Sequence, residues 1–191
     1  MTRLARAFYA RDTLVVARAL LGQRLVRTVD GRRCSGLISE VEAYTGPDDE
    51  ASHAFRRTPR SAIMYGPPGH AYVYFIYGTN FCMNAVAKSA EQAAGAVLLR
   101  AILPQEGIDL TRVRRGAVPE RHLTDGPGKL CKALAIDRTL YGTDLTTSDE
   151  LFIEEGLAVP DAEVLRTARI GVVGNDLALA RPWRFIWRPS P

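Results

Sequence analysis

Apolar and polar positions along this 191-residue chain switch repeatedly between helical and strand periods. Residues 12–21, DTLVVARALL, follow the helical period, with Asp12 placed to cap and Gly22 to stop. QRLVRTV then alternates as a strand. Asp30-Gly31 is a hairpin turn, and the return strand covers residues 32–44. Gly46-Pro47 breaks that strand, and DDEASHAF predicts a short helix led by acids. RRTPRSAIMYGPPGH reads as loop from its Pro and Gly content. AYVYFIY and FCMNAVA predict two strands around Gly78-Thr79-Asn80, and residues 96–102 predict another. Helices are expected over 104–114, from Pro127 in GPGKLCKALAI, and from Pro160-Asp161 in PDAEVLRTARI. Residues 116–125 read as loop, 139–155 as short strands, and RFIWR as a final strand. With no repeat, linker or low-complexity segment, the pattern predicts one α+β domain over residues 1–191. It would be a mostly antiparallel, curved β-sheet with surrounding helices and a protruding β-hairpin.

Composition adds limits. Hydrophobic residues make up 47% and charged residues 24%, as in ordinary globular chains. No apolar run is long enough to span a membrane. The first residues, MTRLARAFYARD, lack the apolar core and cleavage site of a signal peptide, so a cytoplasmic protein is expected. A formal charge of +4 favours a polyanionic partner. Only Lys88, Lys129 and Lys132 of the 25 basic residues are lysine, a bias attributable to genomic base composition. Cys34, Cys82 and Cys131 are far apart without a CxxC, which suggests buried thiols in a reducing compartment. No HExxH or Cys/His cluster indicates zinc.

The chemistry gathers between residues 37 and 84. In ISEVEAY, strand alternation puts Ile38, Glu40, Glu42 and Tyr44 on one face and Val41 and Ala43 on the other. Alone, such a face reads as solvated. The tyrosine, the following His53 and the arginines Arg56, Arg57 and Arg60 point instead to a cleft, where a carboxylate can activate water beside a sugar. His53 alone reads as structural or surface; in a cleft it could meet a base edge or orient a carboxylate. The arginines are either a solvated cluster or ligands for a phosphate backbone. In the aromatic hairpin, Tyr72 and Phe75 are expected in the core. Tyr74 is placed to stack on a base, and Tyr77, beside Gly78, would be a tip wedge. Asn84 and Arg100 sit among apolar neighbours and need polar partners. GPGK lacks a Walker A pattern but puts Lys129 at a helix start. A carboxylate, stacking rings, a wedge and phosphate ligands together suit an enzyme that acts on a base extruded from DNA.

The blocks EVEAYTGPDDEASH, YVYFIYGTNFCMN, VLLRA, GPGKLCKALAI and ARIGVVG, in that order, resemble the alkyladenine (3-methyladenine) DNA glycosylase family. The resemblance spans roughly residues 20–185. It implies a monofunctional enzyme that flips an alkylated or deaminated purine from damaged double-stranded DNA and hydrolyses its N-glycosidic bond. It needs no cofactor or metal and has no lyase activity. By the same resemblance Glu42 falls on the water-activating acid and Arg100 on an arginine that helps form the water site. Tyr44, His53, Tyr74 and Asn84 fall on the base pocket, Tyr77 on the intercalating wedge and Lys129 on a DNA-backbone contact. Two features depart from the family pattern: Asn80 replaces an aromatic, and the segment after Asn84 is slightly longer. A monomer is expected. Two other readings stay open from the residues alone: a nuclease holding Mg²⁺ through Glu40, Glu42, Asp48, Asp49 and Glu50, and a damage-binding module without chemistry.

Overall fold

The Asp12 carboxylate accepts hydrogen bonds from the backbone N–H groups of Leu14 and Val15, and so starts a helix where the sequence predicts one. In the computed structural model, which describes residues 2–76, 78 and 80–189, helix α1 is Arg6–Tyr9 and α2 is Thr13–Leu20. Strands β1 (Arg24–Val29) and β2 (Arg32–Thr45) follow, joined through Asp30 and Gly31, both at positive φ. Strands β3 (Ala71–Ile76), β4 (Asn80–Val86) and β5 (Gly95–Glu106) come next, then helices α3 (Ile108–Arg115) and α4 (Pro127–Ala133). The chain continues through β6 (Leu151–Glu154), β7 (Val164–Thr167), α5 (Asp176–Ala180) and β8 (Arg184–Trp187).

All these strands belong to one α+β sheet with antiparallel pairing, in the order β3-β4-β5-β2-β1-β6, with β8 also on β2 and β7 on β8. Strand β2 is its spine. It pairs with β5 along most of its length, with β1 over its first half, and with β8 over Glu40–Glu42. Val41, Ala43, Val73, Met83, Val97 and Leu99 form the apolar face, and Val16 and Leu20 from α2, Leu130 from α4 and Leu134 just after it pack in the same cluster. The opposite face holds a smaller cluster around Met64, Tyr72, Val86 and Ala96, flanked by Tyr44 and Tyr74. No helix among the described residues is long and apolar enough to cross a membrane.

Five local expectations need correction. Ile38 does not share the face of Glu40: the register passes from Ile38↔Ile102 to Glu40↔Ala101, so Ser39 is an unpaired extra residue, and Ile38 joins the core with Val41. The helix expected over 104–114 begins later, at Ile108. Pro104 continues β5 opposite Gly36, at a register shift where its missing N–H is tolerated, and Gly107 turns the chain at φ +65°. The acidic run before His53 gives only a 3-10 turn, His53–Phe55, because the Asp48 and Asp49 side chains bond to Thr45 and to the backbone N–H of Ala51. Pro160 and Asp161 start a single 3-10 turn, Asp161–Glu163, and the chain then pairs as β7 with the terminal β8. Phe75, expected in the core, is 52% exposed, on the far side of β3 from the tyrosines.

Candidate active site

Antiparallel pairing sets side chains from five strands beside one another. Tyr72 pairs with Asn84, Asn84 with Leu98, Leu98 with Glu42, and Glu42 with Arg184. Directly opposed residues share a face, so this is one row across β3, β4, β5, β2 and β8. At the usual strand spacing, Tyr72 lies roughly 14 Å from Glu42. A second row carries Tyr74 opposite Cys82. Arg100 has no partner on β2, because the register jumps from Glu40↔Ala101 to Val41↔Leu99. That irregularity leaves its guanidinium between the two acids: Nε donates to Glu40 Oε1 at 2.7 Å, and Nη1 lies 3.3 Å from Glu42 Oε1.

Glu42 is fully buried, which is costly for a carboxylate unless its oxygens are answered. Tyr44 donates its hydroxyl to Oε2 at 2.7 Å, and the backbone N–H of Ile170 donates to Oε1 at 2.8 Å. Burial, then the charge of Glu42, raises the Tyr44 phenol, so it remains a donor. Burial works against the Arg100 charge, but Glu42 and Glu40 outweigh it and raise its pKa. Arg184 also donates to Glu40 Oε1, at 2.7 Å.

Beside this carboxylate is a cavity of about 270 Å³. Tyr44, His53, Tyr72, Tyr74 and Asn84 form part of its wall, together with Gly171, Val172 and Val173. Glu42 lies behind that wall: Tyr44 bonds it and lines the cavity, and Ile170 bonds it next to Gly171. The His53 Nδ1 is 2.9 Å from the Tyr72 hydroxyl, and its ring meets Tyr74 edge-on with centroids 4.7 Å apart. Desolvation, then the charge of Arg60, lowers the His53 pKa to about 4, which keeps the ring neutral at pH 7. Asn84 is buried and donates Nδ2 to the Tyr72 carbonyl at 3.1 Å, which fixes its side chain at the cavity wall.

The segment that carries Gly171, Val172 and Val173 hangs on a buried ion pair that sequence reasoning did not single out. Arg169 grips Asp49 through two bonds of 2.6 and 2.7 Å, both side chains being fully buried. Arg169 also donates to the carbonyls of Ala43 and Ala178 and lies over the Tyr44 ring at 4.7 Å. At the other end of the segment, the Asn175 N–H donates to Glu50 Oε2 at 2.9 Å. The strap from Arg169 to Asn175 is thus clamped at both ends to the loop after β2. The signal was present as an arginine beside ARIGVVG glycines and an acid after Gly46-Pro47, but nothing local joins positions 120 residues apart. The acids of the Mg²⁺ reading are engaged here: Asp49 with Arg169, Glu50 with Asn175, Asp48 with the Thr45 hydroxyl. Among the described residues, no group of three or more His, Cys, Asp or Glu is arranged to hold a metal.

The remaining expected residues lie around this centre. Arg56, Arg57 and Arg60 are exposed, and each lies over a ring: Phe55 at 5.9 Å, Tyr65 at 5.3 Å and Tyr74 at 4.8 Å respectively. Lys129 is exposed in the first turn of α4, and its ammonium is 2.9 Å from Asp125. The expected wedge, Tyr77, lies outside the described residues. Tyr72, expected as core, is buried and also lines the cavity.

Comparison with known proteins adds to this geometry. The model of the family described as "Methylpurine-DNA glycosylase (MPG)" matches residues 7–191. A protein of Carboxydothermus hydrogenoformans named "Putative 3-methyladenine DNA glycosylase" is 47% identical over 184 residues, covering 95% of this chain and 93% of the relative. Proteins of the same name from Clostridium acetobutylicum and Anaeromyxobacter dehalogenans are 47% and 50% identical. They cover 96% and 99% of this chain, and 93% and 84% of the relatives.

Proposed function

This chain belongs to the methylpurine-DNA glycosylase family and is therefore a DNA glycosylase of alkylated bases, and from that premise we propose how it selects and releases them. It binds damaged double-stranded DNA as a monomer and turns an alkylated or deaminated purine, such as 3-methyladenine, hypoxanthine or ethenoadenine, out of the stack into the cavity beside Tyr44, His53, Tyr74 and Asn84. Glu42 takes a proton from a water held with the help of Arg100. The water oxygen bonds to C1′ as the C1′–N bond breaks, and the bonding electrons leave with the base. A cationic base such as 3-methyladenine leaves as a neutral molecule. Tyr77 fills the gap in the duplex, and Arg56, Arg57 and Lys129 contact its phosphates, Lys129 exchanging Asp125 for phosphate.

The observation that carries this reading is the link between the buried acid and the cavity. One tyrosine, Tyr44, both donates to Glu42 and lines the space where a base would rest. That space, about 270 Å³, is just below the range of drug-sized ligand sites, as suits a single base. Asn84, tied to the Tyr72 carbonyl, cannot swing aside and would oppose the exocyclic amine that guanine has and hypoxanthine lacks.

Duplexes carrying one 3-methyladenine, hypoxanthine or ethenoadenine, incubated with the protein and then with alkali, test the reading. Release of these bases, with strand breaks only after alkali, is expected. Nicking before alkali, or activity that EDTA removes and Mg²⁺ restores, would contradict it. Asn84→Ser should raise release of guanine relative to hypoxanthine, and an unchanged ratio would remove Asn84 from that role.

A further inference from the structure

Arg60, one of the three arginines expected at a phosphate backbone, also lies against an aromatic ring of the pocket. Its guanidinium carbon is 4.8 Å from the centre of the Tyr74 ring, and its charge also bears on Tyr72 and His53. All three line the cavity, and Arg60, which is not among the lining residues, reaches it through them. Among the described residues no carboxylate forms an ion pair with Arg60, and His53, on which its charge acts, is neutral at pH 7. Arg56 and Arg57 also lie over rings, but Phe55 and Tyr65 are not part of the cavity wall. Of the three arginines, Arg60 alone can impose its charge on a base in the cavity.

We propose that Arg60 sets the charge preference of the base pocket, disfavouring cationic purines relative to neutral ones. The inference rests on the reading above, in which Tyr74 and His53 receive the base. An aromatic face attracts a cation through its quadrupole. The guanidinium already draws on the Tyr74 ring, so a cationic base resting there gains less and meets a like charge across one ring. A neutral base meets no such repulsion. Negative charge collects on a neutral base as its bond to the sugar breaks, and Arg60 lowers the cost of that charge. A cationic base instead loses its charge as it leaves, so the opposition to it falls on binding. For one solvent-screened charge roughly 8 Å away, the combined effect is about 3- to 30-fold in selectivity.

The test compares single-turnover release of 3-methyladenine, as the cation, and ethenoadenine, as the neutral base, from one duplex sequence at two salt concentrations. Both are adenine derivatives, so the Asn84 gate does not enter. Arg60→Gln should raise the 3-methyladenine to ethenoadenine ratio by about 3- to 30-fold. The gain should appear as tighter half-saturation for the cation and a slower maximal rate for the neutral base. Arg60→Lys, which keeps the charge, should hold the ratio near wild type, and Arg57→Gln should leave it unchanged. Equal losses on both lesions in Arg60→Gln, with the salt slope reduced by about one, would mean a phosphate contact and overturn the proposal. A wild-type protein that releases neither base would contradict the proposed reaction itself, and this inference with it. Release of both with an unaltered ratio overturns the inference alone.

Discussion

Both oxygens of Glu42 are answered before any substrate arrives, by Tyr44, the Ile170 N–H and Arg100. A hydrogen bond to a charged group contributes about 1.5–3 kcal/mol. Tyr44→Phe keeps the ring and removes that donor, so the excision rate should fall about tenfold or more while lesion binding stays within a few-fold. An unchanged single-turnover rate would show that the hydroxyl has no part in holding Glu42. His53 gives a second reading at this scale. Its pKa, lowered from 6.5 to about 4, means that the folded protein binds fewer protons than the unfolded chain between those values. This contribution to stability is present above pH 6.5 and lost as pH falls toward 4. An NMR titration should place the His53 midpoint below 5, and Arg60→Gln should raise it; a midpoint near 6.5 would mean an open, solvated ring. The types of chemistry were legible residue by residue, since a strand acid, a tyrosine and a histidine within twelve positions already suggest a cleft. The parity of Ile38 was not, because a bulge is set by the partner strand, and neither was the exposure of Phe75, because alternation does not say which face is covered.

Among elements, the strap from Arg169 to Asn175 supplies Gly171, Val172 and Val173 to the lining of the cavity. Removing one partner of a buried ion pair costs about 3–5 kcal/mol, because the other charge stays buried without compensation. Asp49→Asn should therefore lower the melting temperature by roughly 10 °C or more. Asp149→Asn, at an exposed pair with Arg3, should change stability by less than about 1 kcal/mol. Comparable melting temperatures for the two variants would remove the clamp from the account. Strands and turns with local signatures were readable: Asp30-Gly31, the Asp12 cap and the tyrosine strand all stand as the sequence predicts. The stretch after Pro160 was not, because its helix-start signals are local, whereas its pairing with β8 depends on a strand twenty residues later. The strap was unreadable for the same reason, as its anchor Asp49 is 120 residues away.

At the scale of the molecule, the order of strands turns separate motifs into one site. Blocks scattered from residue 40 to residue 174 meet on one face of the sheet because β2 lies between β5 and β8. The α+β class and the antiparallel pairing were legible in the run of hairpin signals, while the branching of the sheet at β2 was not, since no local pattern marks a strand that changes partner midway. Water as nucleophile makes the product an intact strand with an abasic site, so borohydride should trap no protein–DNA adduct during turnover. A trapped adduct would move the reaction to an amine. The most direct test of the central claim is the single-turnover release of base from a one-lesion duplex by Glu42→Gln. The amide keeps the shape of the side chain but cannot take a proton from water. The rate should fall at least the ~10²-fold typical of removing a general base, with lesion binding within a few-fold of wild type and Glu40→Gln losing less. A rate near wild type would contradict the assignment of Glu42 and, with it, the mechanism built around that face of the sheet.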